Sequence, residues 1–202
     1  MTAVTPHHTP APAVVDLSVA ELRYRLHDAL SVYVAAMEYP RGTENHRAPM
    51  WTEHTTRAGW QAVAAMLPDD GHVDVRTAPL LAIAYGYRGA PHQWWHQQVH
   101  AGMRRCGWPE HSARELLADY FELTELHVHP SAQGLGIGGT LLHRLLEHRD
   151  ERAVLLSTPE VAREENRAWR LYRRAGFTDV IRDFVFAGDT RPFAILGRRL
   201  PL

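Results

Sequence analysis

Between Gln133 and Gly139 the chain reads Gln-Gly-Leu-Gly-Ile-Gly-Gly. Glycines this close together let the backbone approach a ligand and turn several N–H groups toward one point. A helical pattern follows directly, with Leu141, Leu142, Leu145 and Leu146 on its inner side. The positive end of that helix adds to the same place. The chemistry such a turn supports is binding of a phosphate or pyrophosphate. The plainer alternative is a turn whose glycines only permit tight packing.

Two common phosphate sites match poorly. A Walker loop needs Gly-Lys-Ser/Thr, and Gly139-Thr140-Leu141 lacks the lysine. A dinucleotide fingerprint is formally present in Gly134, Gly136 and Gly139, and Glu160 stands about where a ribose-binding acid is expected. That fingerprint opens directly after its strand, whereas here Pro130, Ser131, Ala132 and Gln133 intervene. An oxidoreductase reading is therefore the weaker one.

His127 and His129 place two imidazoles on one strand face, a spacing metals use. No third ligand with convincing spacing follows. No metal is expected, and both are read as solvent-facing. Cys106 is the only cysteine, so no internal disulfide can form, which suits a reducing cytoplasm.

The elements that must position these residues follow from periodicity. Residues 1–13 are rich in Pro, Thr and Ala and read as a disordered lead-in to one domain over 14–202. Ser18 and Glu21 have capping-box spacing, and Leu22, Leu26, Leu30, Tyr33 and Met37 continue as a helix over 19–38. An irregular polar loop runs to Trp51. Thr52 is read as the cap of a second helix carrying Trp60, Val63, Ala64 and Leu67 on one face. Asp69–Gly71 is a turn, and Val73–Arg76 is expected to form a hairpin with a strand at Leu80–Tyr87.

Residues 88–119 then interrupt the strands with two short helices. The first carries Trp95, Val99 and Met103 on one face, and Ser112 with Glu115 caps the second. Strands are read at Phe121–Val128, Arg152–Ser157, Phe177–Phe186 and Phe193–Leu200. Helices follow the glycine turn and span Glu164–Ala175, the latter ended by Gly176. The outcome is an α/β fold with a mixed sheet.

Composition narrows the classes. The formal net charge is −1, which gives no reason to expect nucleic acid as a partner. Apolar runs fall well short of the ~20 residues a membrane helix needs, and no charged-then-apolar leader is seen, so a cytoplasmic protein is expected.

The run Leu126-His127-Val128-His129-Pro130 through Gln133-Gly134-Leu135-Gly136-Ile137-Gly138-Gly139 resembles motif A of the GNAT N-acetyltransferase superfamily. Asn166, with Leu171-Tyr172-Arg173-Arg174-Ala175-Gly176-Phe177 after it, resembles motif B. Two matches in order are far more specific than one, and the resemblance covers about 72–200. The departure is the helical insert at 88–119, between the third and fourth strands, where the family has a short hairpin.

The resemblance implies acetyl-CoA bound where two parallel strands part, and an amine as acceptor. Leu126, His127 and Val128 would offer backbone groups to pantetheine. Gln133, Gly134, Leu135, Gly136, Ile137, Gly138 and Gly139 would hold the pyrophosphate. The Val128 N–H would polarise the thioester carbonyl, and Asn166 would bond the pantetheine arm. Tyr172 would protonate the leaving thiolate. Glu122 matches a glutamate that some histone-acetylating relatives use as base. Its even spacing from Val128 puts it on the face of Thr124, Leu126 and Val128, with Glu125 opposite. Ser157 stands near where another branch has its base, so that route is not expected.

A catalytically silent acyl-CoA sensor is the alternative reading. The acceptor is not legible. The insert, with Trp94, Trp95, Trp108 and four histidines, reads first as a cover over the sheet. Its functional readings are a wall of the acceptor pocket or a homodimer contact.

Overall fold

The computed structural model describes residues 11–202. Seven strands form one sheet in the order β1-β2-β3-β4-β5-β7-β6. They are β1 (Ala13–Leu17), β2 (Gln61–Met66), β3 (Leu80–Arg88), β4 (Tyr120–Val128), β5 (Ala153–Pro159), β6 (Thr178–Phe184) and β7 (Phe193–Arg199). Neighbours are antiparallel except β4 and β5, which run parallel.

Two helices cover one face: α6 (Ile137–Leu146) and α7 (Arg167–Arg174). Leu141, Leu145, Trp169 and Tyr172 pack there on Ala84, Phe121 and Val154. The opposite face is covered in two halves. Over β2 and β3 lie α1 (Val19–Tyr24), α2 (Leu26–Met37) and α3 (Thr43–His54). Over β5, β6 and β7 lie α4 (Trp94–Arg105) and α5 (Glu110–Leu117), whose Trp95, Val99 and Met103 meet Leu155, Ile181 and Ile195. The insert between β3 and β4 thus covers half a sheet face.

The capping box at Ser18 forms as read: Glu21 N–H donates to Ser18 Oγ at 3.2 Å and Ser18 N–H to Glu21 Oε2 at 2.7 Å. The helix it starts breaks at Arg25, whose guanidinium turns inward to the carbonyls of Val75 and Ala78.

Four sequence readings are corrected. The segment at Trp60–Leu67 is strand β2, not a helix. It is buried on both faces, so apolar residues carry no period there. The loop before Trp51 is helix α3, which is polar and contains Pro49, but is anchored by buried Trp51 and His54. Val73–Arg76 is no strand: Asp74 accepts from Arg76 N–H and Thr77 Oγ1–H, a turn, and β3 pairs with β2 instead. The second insert helix starts at Glu110 with Pro109 as its cap residue, so Ser112 lies inside it. Residues 1–10 of the expected lead-in lie outside the described residues, and Ala13 opens β1.

Candidate active site

Strands β4 and β5 pair only at Tyr120, Phe121 and Glu122. Beyond that they part. His129 N–H donates to Leu81 C=O at 2.8 Å on the β3 side. Bonding alternates along an antiparallel ladder, so the N–H groups of Leu126 and Val128 point away from β3, into the gap. A cleft of about 1170 Å³ opens there, lined by Leu126, His127, Val128, the glycine turn and one face of α7.

The turn is shaped by its glycines. Gly134 and Gly136 have φ of +85° and +80°, which residues with a Cβ adopt at a cost. Gly136 is also the N-cap of α6. Gln133 ties the turn down: its Nε2 donates to Val128 C=O at 3.0 Å, and its Oε1 accepts from Arg167 at 2.5 Å. Ile137 is buried against the core.

Arg167, Arg170, Arg174 and Arg198 line the same cleft. Among the described residues none of the four is within ion-pair distance of a carboxylate. The cleft therefore holds unneutralised positive charge beside free N–H donors, which suits a chain-like ligand ending in phosphates. The sequence reading missed these arginines. Their signal was present, because 167, 170 and 174 share one face of a helix whose other face is Trp169 and Tyr172.

A family model described as Acetyltransferase (GNAT) domain matches residues 92–179. The GCN5-like protein acetyltransferase Rv2170 of Mycobacterium tuberculosis is 56% identical, over 94% of this chain and 98% of its own. The chain belongs to the GNAT acetyltransferase family. The fold is shared at lower identity. The Salmonella typhimurium protein yncA, solved with its cofactor acetyl-CoA, is 16% identical over 95% of each chain, with TM-score 0.55. The paia N-acetyltransferase of Thermoplasma acidophilum, in complex with coenzyme A, is 13% identical over 94% of this chain and 99% of its own, with TM-score 0.54.

In this GNAT chain the residues expected around the cofactor are not all in the cleft. Leu135 is 68% exposed and outside its lining. Asn166 lines the cleft and also caps α7, its Oδ1 accepting from Trp169 N–H at 2.9 Å. Tyr172 is buried in the core beside Phe177, with ring centroids 5.6 Å apart. Burial, then the charge of Glu125, holds its phenol above the ordinary value, so it stays protonated at neutral pH.

Glu122 lies on the other face, and here the strand reading is corrected. The β3–β4 register pairs Tyr85 with Glu125 but Gly86 with Leu123, leaving Thr124 as an extra residue. This bulge breaks the two-residue alternation. Leu126 and Val128 join the α6 side, while Glu122 and Glu125 share the α3 side. Gly86 makes the bulge possible: a Cβ there would sit 2.2 Å from the carbonyl oxygen of Glu122. A lone glycine inside a strand was the available signal.

Glu122 is 3% exposed, and burial pushes its carboxyl up to about 7, against the Tyr87 hydrogen bond, which lowers it. His127 is not solvent-facing as expected. Its Nε2 is 2.5 Å from Glu125 Oε2, and its ring meets Tyr33 edge-on at 4.9 Å. His129 bonds Ser131 Oγ at 2.7 Å. Among the described residues no group of three His, Cys, Asp or Glu is placed to hold a metal. No helix among them is long and apolar enough to cross a membrane.

Proposed function

We propose that this GNAT enzyme moves the acetyl group of acetyl-CoA to a primary amine of a protein, a lysine side chain or an N-terminus, by direct attack on the thioester. The parting of β4 from β5 beside the glycine turn carries the reading. The 56% identical relative, described as a protein acetyltransferase, supports the protein acceptor.

Acetyl-CoA supplies the acetyl group as an activated thioester. The outward N–H of Leu126 pairs with a pantetheine amide, as a peptide adds to a sheet edge. The Gln133–Gly139 backbone and the arginines of α7 hold the phosphates. The N–H of Val128 faces the carbonyl oxygen on which negative charge develops. An amine near pKa 10 is mostly protonated at neutral pH and must lose a proton before it attacks. Glu122 is buried and takes that proton through water, with a basicity suited to neutral pH. Tyr172 gives a proton to the departing sulfur.

The test is release of free thiol from acetyl-CoA in the presence of small amines, lysine peptides and proteins. Release that needs a protein or peptide amine supports the reading. Release with small amines alone, or none at all despite tight CoA binding, overturns it.

A further inference from the structure

Arg57, Tyr87 and Glu122 come from three separate segments and form one hydrogen-bonded row. Arg57 Nη1 donates to Tyr87 Oη at 2.5 Å, and Tyr87 Oη donates to Glu122 Oε1 at 2.9 Å. The Arg57 guanidinium also lies over the Tyr87 ring, 4.5 Å from its centroid. Glu53 fixes its other end, with Oε1 and Oε2 accepting at 3.3 and 3.0 Å. The second carboxylate oxygen, Glu122 Oε2, is buried with no hydrogen-bond partner among the described residues.

The direction of this row is fixed by chemistry. Arginine has only donors, and a phenol has one hydrogen. With Arg57 donating to the phenol oxygen, the Tyr87 hydrogen goes to Glu122 Oε1. That oxygen is already an acceptor, so a proton on Glu122 sits on Oε2. A charged donor also polarises the phenol and strengthens its bond to the carboxylate.

We propose that Arg57 and Tyr87 are positioning residues for acetyl transfer: they pin Oε1 of Glu122 and leave Oε2 as the proton-accepting oxygen. The inference rests on Glu122 acting as the base. Neither residue belongs to the sequence motifs, and neither lines the cleft.

The other groups around Glu122 do not replace them. Glu125, on the same strand, raises Glu122. Tyr120 is pushed up by burial and is engaged with His96 of α4 at 3.2 Å. His54 of α3, with its ring 5.1 Å from Tyr87, is held down to about 4 by burial and is neutral at pH 7. Tyr85 is tied to His54 at 3.0 Å. Arg57 is thus the cation that acts on Glu122.

The experiment is a carbon-13 titration of glutamate side-chain carboxyls in the free protein, with Glu122 assigned by its absence in Glu122→Gln. It needs no acceptor. The wild-type midpoint is expected near 7. Tyr87→Phe removes one hydrogen bond to a charged group and should raise it by about one pH unit. Arg57→Gln should raise it too, and Arg57→Lys, which keeps the charge, should raise it less. A Glu122 midpoint unchanged in both Tyr87→Phe and Arg57→Gln would overturn the proposal. Undiminished acetyl transfer by Glu122→Gln would instead overturn the reading it rests on, whatever the titration gives.

Discussion

Glu122 and Glu125 stand three residues apart on β4, yet their side chains share one face of the sheet, because Thr124 is bulged out between them. The bulge sets two carboxylates beside the place where β4 and β5 part. One is sealed under Tyr87 and the other is held by His127.

The sealed carboxylate gives a pH-dependent stability. The folded value for Glu122, about 7, lies above its ordinary 4.5. The folded state therefore holds the proton more tightly, and stability falls as pH rises from about 4.5 through about 7. The full loss is about 3 kcal/mol. Glu122→Gln has no such titration. Its denaturation midpoint relative to wild type should rise between pH 5 and pH 8, while its transfer rate falls most near neutral pH. A constant difference in midpoint across that range would mean that Glu122 does not titrate there.

Gly86→Ala should be costly for its size. The added Cβ would meet the Glu122 carbonyl at 2.2 Å and the Phe121 ring at 2.5 Å. Overpacking of this kind costs about 1–3 kcal/mol. Denaturant unfolding should show that loss, with activity reduced further as the bulge shifts Glu122. A variant of wild-type stability and rate would show that the bulge is soft.

Gly136→Val should weaken CoA binding strongly. Its φ of +80° strains any side-chain-bearing residue, by roughly 1–2 kcal/mol. The side chain would also stand where the phosphates approach. Calorimetric titration with CoA, alongside a circular dichroism check of folding, measures this. Unchanged affinity would remove the turn from the cofactor site.

Tyr172→Phe keeps the ring that packs on Phe177 and removes the proton donor. Turnover should fall, by about 10²–10⁴-fold if proton transfer to sulfur limits the rate, with KM for acetyl-CoA nearly unchanged. Wild-type turnover, with chemistry shown to be limiting, would exclude the role.

Adjacent tryptophans separate the two uses of the insert. Trp95 is 7% exposed and its Nε1 donates to Ser157 at 3.3 Å, whereas Trp94 is 52% exposed and stacks on Phe186. Trp95→Ala should cost about 3–5 kcal/mol of stability. Trp94→Ser should cost little and instead raise KM for the acceptor. If Trp94→Ser leaves that KM unchanged, the insert is not a wall of the acceptor pocket.

The sequence by itself determined what is local. Glycines at 134 and 136 announce a backbone that only glycine adopts readily. The leucines of α6 announce a helix behind it, and Ser18 with Glu21 announces a cap. Each signal lies within a few residues, where bonded geometry decides the structure. The tertiary structure alone decided the rest. β2 has no readable period, because neighbours bury both of its faces. Polar α3 is held by where Trp51 and His54 come to rest, not by its own propensity. Glu122 ends on the face opposite Leu126 and Val128 because pairing with β3 forces a bulge at Thr124, which no count along β4 reveals. The Arg57–Tyr87–Glu122 row joins residues 30 and 35 positions apart in the chain. Such a row exists only once strand register has brought those side chains within hydrogen-bonding reach, and register is a property of paired strands, not of one stretch of sequence.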